Sequence, residues 1–171
     1  TIHKTYKKIF KCRFLINCAG LQADRITKML DIPTDFQIIP FRGEYYQLPE
    51  RYGQIINHLI YPVPDPKLPF LGVHLTRMLD GSVTIGPNAV PGWKREGYGR
   101  INIDLRDVRD TLTFSGFWYF LKSHFKTGLT ELKNSLWAPG YLKQVQKYCT
   151  QIRLSDLRPY PAGIRAQAVL K

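Results

Sequence analysis

A chain of 171 residues with 44% hydrophobic and 13% aromatic residues can bury one core of domain size, which excludes wholesale disorder. The 25 Lys+Arg against 13 Asp+Glu give a net charge of +12, a balance that suits nucleic acid, an anionic membrane surface or anionic substrates. The bases are scattered apart from one cluster at 3–13 (HKTYKKIFKCR), and with no RNA-recognition motif, zinc-finger spacing or long basic helix, nucleic acid is set aside.

The first element is CRFLINCAG. Phe14, Leu15 and Ile16 predict a strand buried on both faces, as in a parallel sheet, and Gly20 permits a tight turn. LQADRITKML follows with Leu21, Ile26, Met29 and Leu30 near helical spacing, and Asp31 and Pro33 close that helix. The middle then changes character. FRGEYYQL, HLIYPVP, FLGVHLTRM and GSVTIGP are short runs rich in β-branched and aromatic residues, and LDGS marks a hairpin turn. They predict a mainly antiparallel sheet from about Phe41 to Gly86, with prolines at 62, 64, 66 and 69 stiffening the second connection. From Asp104 to Cys149 the apolar residues recur at steps of three and four, with Pro139 placed for a first helical turn. The last segment, RPYPAGIRAQAV, is extended. The whole reads as α+β: an antiparallel sheet with flanking helices and a βα piece at the N-terminus.

Cys12, Cys18 and Cys149 are odd in number and widely spaced, which argues for a reducing, cytoplasmic compartment and for three small buried hydrophobes. No run approaches the ~18 apolar residues of a membrane span, and the N-terminus carries no signal-peptide pattern. The chain starts without Met and stops at Lys171 just after a structured segment, so a fragment is expected.

Three places could carry chemistry. A strand ending NCAG before a helix sets backbone N–H groups and a helix N-terminus at one point, which serves either a phosphate or plain packing. GYGRIN lacks the third glycine of a dinucleotide fingerprint and follows no strand. In PFRGEYY, Arg42 and Glu44 share a face, either as a self-satisfied pair or as a site lining, and Gly43 hints at close approach of another group such as a flat ring. In GVHLTRM, His74 and Thr76 share one face and Leu75 and Arg77 the other. His74, Tyr61 and Arg165 are candidates for one polar patch that clamps a carboxylate, with Arg165 in a compact apolar setting in need of a partner. There is no Ser-His-Asp order, H-E-x-x-H or P-loop, and no metal is expected.

FLINCAGLQADRITKML, PFRGEYYQL, the block from IINHLIYPVPDP through GVHLTRM to GPNAV, KREGY, LKNSLW, VQKYC and RPYPAGIRAQAV together carry a resemblance. From about Phe14 onward the chain resembles the bacterial L-2-hydroxyglutarate dehydrogenase/oxidase family, FAD enzymes of the D-amino-acid-oxidase-like superfamily. The resemblance implies a Rossmann-like flavin domain and a substrate domain whose sheet lies over the flavin. This chain would be the middle to late part, without the N-terminal glycine-rich fingerprint or the C-terminus. It divides into 1–35, the end of the FAD-binding domain; 36–160, the substrate domain; and 161–171, a strand returning toward the FAD domain.

The resemblance further implies cofactor contacts at Cys18, Ala19, Gly20 and Gly43. It gives Arg165 the grip on a substrate carboxylate and Ala166 the place where many relatives have proline. His74 becomes a catalytic and substrate-binding candidate, Tyr61 and Arg42 lining residues, and the base lies outside this chain. The implied reaction is oxidation of L-2-hydroxyglutarate to 2-oxoglutarate by hydride transfer to flavin, in the intact protein rather than in the fragment alone. The partners implied are a small dicarboxylate and peripheral inner-membrane contact for electron transfer to quinone. Two alternatives stand beside it: another flavoenzyme of the superfamily, such as a glycerol-3-phosphate dehydrogenase or glycine-oxidase-like protein, and a non-catalytic basic binding module.

Overall fold

The opening apolar run does not form a strand. In the computed structural model, which describes residues 8–64, 72–99 and 101–171, Phe14 and Ile16 stand 87% and 85% exposed. A parallel strand buried on both faces needs neighbours on each side and a layer on each face. Among the described residues the four strands pair with one another, joined only by a bridge from Ile60, and this run lies outside the sheet. The turn and helix that follow are as expected. Gly20, at φ +51°, opens a 3-10 turn (Gly20–Gln22) that leads into α1 (Ala23–Met29). Asp31, itself at φ 55°, closes the helix by donating its N–H to Lys28 O.

The centre of the molecule is a wholly antiparallel sheet of β1 (Phe36–Gln47), β2 (His74–Arg77), β3 (Val83–Pro91) and β4 (Arg158–Leu170), in the order β2-β3-β1-β4. Ile38, Ile39, Pro40 and Phe41 of β1 are consecutive and buried, as a strand covered on both faces requires. β2 and β3 form the hairpin that LDGS predicts: Gly81 takes φ +82° and Met78 N–H donates to Ser82 O. HLIYPVP contributes only a bridge between Ile60 and Leu75, because Pro62 and Pro64 have no N–H to extend a ladder. Pro66, Pro69, the start of the third run at Phe70 and residues 3–7 of the basic N-terminal cluster lie outside the described residues.

Four helices follow: α2 (Leu105–Leu112), α3 (Ser115–Ser123), α4 (Phe125–Leu136) and α5 (Ala138–Val145). Asp104 caps α2 by accepting from the N–H groups of Arg106 and Asp107, and Pro139 sits in the first turn of α5. Two apolar clusters fasten helices to the sheet. Tyr141 and Val145 of α5 pack with Leu75, Val83 and Ile85, and Phe117 of α3 packs with Ile39, Phe41 and Val169. The cysteines differ from expectation: Cys12 and Cys18 are exposed and Cys149 is half-buried, since the run that carries the first two is itself uncovered. Among the described residues no helix is long and apolar enough to cross a membrane.

Candidate functional site

Strand register decides which candidates meet. Residues directly opposite in a ladder share a face, and neighbours along a strand alternate. Phe41 faces Arg165 across β1 and β4, Arg42 faces Ile164, and Gly43 faces Gly163. His74 faces Gly86 across β2 and β3. A Cβ built on Gly86 would stand 2.8 Å from the Tyr45 ring, and one on Gly163 would stand 3.6 Å from it. The ring therefore spans the glycine strip on the side-chain face of Gly86 and Gly163, the face that His74 and Arg165 share.

One patch results. The Tyr61 ring stacks on the His74 ring with centroids 4.4 Å apart and planes 21° apart. His74 is buried at 9% exposure, and its Nδ1 has no hydrogen-bond partner among the described residues. Burial is the main cause that lowers the His74 pKa; a hydrogen bond from its ring to the Gly72 backbone works against that, and the Arg165 charge adds to it. His74 is thus neutral near pH 7 and lies close enough to Arg165 to feel its charge. Arg165 itself is exposed, contrary to the compact apolar setting expected of it: β4 is an edge strand, and its neighbours Ala166 and Ile164 are small or turned to the other face. The patch combines a cation at the surface, a neutral imidazole and two phenols, a set of donors suited to a carboxylate.

Arg42 does not join this patch. It alternates with Phe41 and Gly43 and so projects from the opposite face, where it pairs with Glu44 and donates Nε to Gly99 O at 3.0 Å. Glu44 also accepts from Ser135 Oγ at 2.7 Å and from Asn88 Nδ2 at 3.0 Å. Burial alone would raise the Glu44 pKa, yet Ser135, Asn88 and Arg42 hold it below the usual carboxylate value. The self-satisfied pair is what the structure contains. An open groove of about 970 Å³ lies along this side, lined by Arg42, Tyr45, Trp93, Lys94, Tyr98 and Tyr160 among others; of the patch only Tyr45 borders it, and neither His74 nor Arg165 reaches it.

The residues expected to touch a flavin divide. The Cys18–Gly20 turn suits a group recognised through backbone. Cys18 and Gly20 are exposed, and nothing lies within 4 Å of the place a Gly20 Cβ would take. Asn17 stitches the turn, accepting from Ala19 N–H and donating to Ala23 O at 2.8 Å. Gly43 suits no added ring on its Cα: it is buried, and a Cβ there would stand 2.7 Å from Pro87 Cβ. The close approach that a glycine in PFRG predicts is made by the protein's own β3.

Two features were not picked out in the sequence. Tyr45 lies in PFRGEYY beyond a register shift between Gly43 and Tyr45; its ring rests against the glycine strip at Gly86 and Gly163, and it also borders the groove on the Arg42 side. The second is a buried ion network behind the Gly20 turn. Asp24, fully buried, is bridged by both Nη atoms of Arg95, which is 3% exposed, and the Asp24–Arg95 pair is joined to Asp107, with which Arg25 also pairs. Arg95 also donates to Leu21 O at 2.6 Å and so holds the turn in place. Nothing local flags this network, because its members come from residues 24–25, 95 and 107–110.

Comparison with known proteins gives a consistent result. Residues 2–167 match the family described as FAD dependent oxidoreductase. The chain is 56% identical over 160 residues to L-2-hydroxyglutarate dehydrogenase of Escherichia coli K12, covering 94% of this chain and 38% of that protein. It is 57% identical over 155 residues to the protein of that name from Salmonella houtenae, covering 91% of this chain and 37% of that protein. To the mitochondrial L-2-hydroxyglutarate dehydrogenase of Mus musculus it is 43% identical over 162 residues, covering 95% and 35%. The chain thus spans less than two fifths of the length of these relatives.

Proposed function

This chain belongs to the FAD dependent oxidoreductase family, and on that premise we propose that it is the substrate-side part of an enzyme that oxidises L-2-hydroxyglutarate to 2-oxoglutarate by hydride transfer to flavin. The observation that carries the reading is the single sheet face on which Arg165, His74, Tyr61 and Tyr45 converge. Arg165 is the cation for one substrate carboxylate, by charge-assisted hydrogen bonds. His74, held neutral, donates to the second carboxylate or accepts from the hydroxyl, and Tyr61 keeps its ring plane fixed. Residues 1–35 belong with the FAD-binding domain, and the Cys18–Gly20 turn holds the cofactor through its backbone. Residues 36–160 form the substrate domain, and 161–171 are the strand that carries Arg165 past its central partner β1. A bound flavin supplies the two-electron acceptor. The net charge of +12 helps recruit a dianionic substrate and supports peripheral contact with an anionic membrane, where electrons pass on to quinone.

The test is the full-length flavoprotein that carries this chain. Its yellow absorbance bleaches when L-2-hydroxyglutarate is added without oxygen, and faster than with glycerol 3-phosphate or glycine. A preparation without flavin, or one reduced faster by either of those two compounds, overturns the reading.

A further inference from the structure

Arg95 is 3% exposed, a depth at which arginine is found only when its charge is met. Its guanidinium is met on three sides. Nη1 donates to Leu21 O at 2.6 Å and to Asp24 Oδ1, Nη2 donates to Asp24 Oδ2 at 2.8 Å, and Nε lies 3.8 Å from Asp107 Oδ1. The Arg95 backbone N–H donates to Asp107 Oδ2 at 2.7 Å. Leu21 follows directly on Gly20, so the guanidinium grips the chain one residue beyond the Cys18–Gly20 turn.

The same pair reaches the sheet. Asp24 Oδ2 accepts the Ile38 N–H of β1 at 3.2 Å. The segment that carries Arg95 leaves β3 at Pro91, and its Gly92 N–H donates to Pro40 O of β1 at 2.8 Å. Pro40 stands opposite Ala166, and the next residue, Phe41, stands opposite Arg165. Ile38 precedes Phe41 by about 10 Å along the strand. The turn is thus fastened to β1 at Ile38 and Pro40, beside the position that pairs with Arg165. At the surface Gln22 Nε2 donates to Glu96 Oε1 at 2.9 Å, a further link between the same two segments.

A buried ion pair often adds no net stability over apolar residues of the same volume, but the planar fork of an arginine fixes direction as well as distance. Hydride transfer depends on both, since a misplacement of about 1 Å can lower a rate about a hundredfold. We propose that Arg95 is a positioning residue: through Leu21 O and Asp24 it sets the Cys18–Gly20 turn at a fixed distance and angle from the sheet face of Arg165 and His74, so that the cofactor and substrate sites stay in register. The inference rests on the reading above that this turn holds the flavin, and adds the side chain that places the turn. Arg95 lies behind the turn, among Leu21, Asp24 and Asp107, and takes no part in the chemistry itself.

The experiment compares the full-length flavoprotein with Arg95→Lys, which keeps the charge and loses the fork, and with Asp156→Asn as a control. Asp156 is also 3% exposed but belongs to a separate network, where it accepts from Tyr52 Oη at 2.8 Å and pairs with Arg51. FAD affinity is measured by equilibrium dialysis at a temperature where circular dichroism shows each protein folded. Arg95→Lys weakens FAD binding about tenfold or more. At saturating FAD it lowers kcat and leaves KM for L-2-hydroxyglutarate unchanged, because Arg165 and His74 are intact. Asp156→Asn lowers the unfolding temperature and leaves FAD affinity as in the wild type. If Arg95→Lys fails to fold, Asp24→Asn combined with Arg95→Met decides the matter: it leaves neither charge of the pair unmatched and keeps a side-chain oxygen for the Ile38 N–H. Wild-type FAD affinity in the folded variant overturns the proposal. So does an equal loss in Asp156→Asn, which makes the effect one of stability. A rise in KM with kcat unchanged places Arg95 on the substrate side and overturns it too. A wild type that binds no flavin overturns the reading of the turn and this inference with it. FAD affinity needs no substrate, so the substrate reading fails or stands separately.

Discussion

On the proposed reading, Arg165 and His74 divide the work of one site by their surroundings. Arg165 stands exposed on an edge strand, where its charge costs little and can reach a ligand. His74 stands buried beneath Tyr61, where burial and the Arg165 charge keep it neutral. Arg165→Met in the flavoprotein should keep the flavin absorbance and lower kcat/KM for L-2-hydroxyglutarate by roughly tenfold to a hundredfold, the worth of a charge-assisted pair. Steady-state kinetics like those of the wild type would make Arg165 structural. His74→Ala should cost less than Arg165→Met by the same measure. His74 also sets a pH dependence. The unfolded chain takes up its proton near pH 6.5 and the folded chain only at lower pH, so between those values the unfolded state binds more protons. Stability must fall as the pH drops below about 6.5. Urea unfolding on either side of that pH should show the fall in the wild type and a shallower one in His74→Asn; equal slopes would remove His74 as the cause.

At the scale of elements, two glycines hold the site's geometry for different reasons. Gly20 needs its left-handed φ of +51° and has open space around it, so Gly20→Ala should cost about 1–2 kcal/mol, the backbone penalty alone. Gly86 has φ +144°, and a Cβ there would also stand 2.7 Å from Glu44 O in the central strand. Gly86→Ala should therefore destabilise more than Gly20→Ala in urea unfolding, and an equal or smaller loss would mean that the sheet yields freely at this point. The elements themselves were largely legible. The α1 helix, the LDGS hairpin, the helical run after Asp104 and the final strand all follow from spacing and turn chemistry, which act over a few residues. The run at Phe14–Ile16 was not, because the same apolar pattern forms a buried strand only where other strands lie beside it. Arg42 shows the same limit on a smaller scale: its alternation with Gly43 was readable, but Ser135 and Asn88, which complete the Glu44 pair, lie 91 and 44 residues from Glu44.

At the scale of the whole molecule, the Asp24–Arg95–Asp107 network fastens the N-terminal turn and α1 to the sheet and α2. Asp24 accepts the Ile38 N–H at the start of β1 as well as the Arg95 guanidinium. Burial by itself would raise the Asp24 pKa, but Arg95 and the backbone N–H groups of Ile38 and Arg25 bring it below the usual value of 3.8. Its contribution is thus present above pH 3.8 and is lost as the pH falls through the lowered value. Asp24→Asn leaves Arg95 buried without a full counter-charge and should destabilise by about 3–5 kcal/mol in denaturant unfolding near neutral pH. The part of the acid-induced loss that belongs to Asp24 should disappear with it. A loss below about 1 kcal/mol would show that Asp107 alone satisfies Arg95.

The sequence by itself determined the α+β class, the order of α1, the hairpin, the later helices and the final strand, the family, and three residues of the candidate site face: Arg165, His74 and Tyr61. These rest on spacing, turn residues and long identical runs, all of which are local or linear. Only the tertiary structure decided that Arg165 is exposed, that Arg42 turns away to Glu44, that Pro87 occupies the space beside Gly43, and that Tyr45 spans the glycine strip. Each of those outcomes is set by strand register and long-range pairing, where a shift of one residue moves a side chain to the other face.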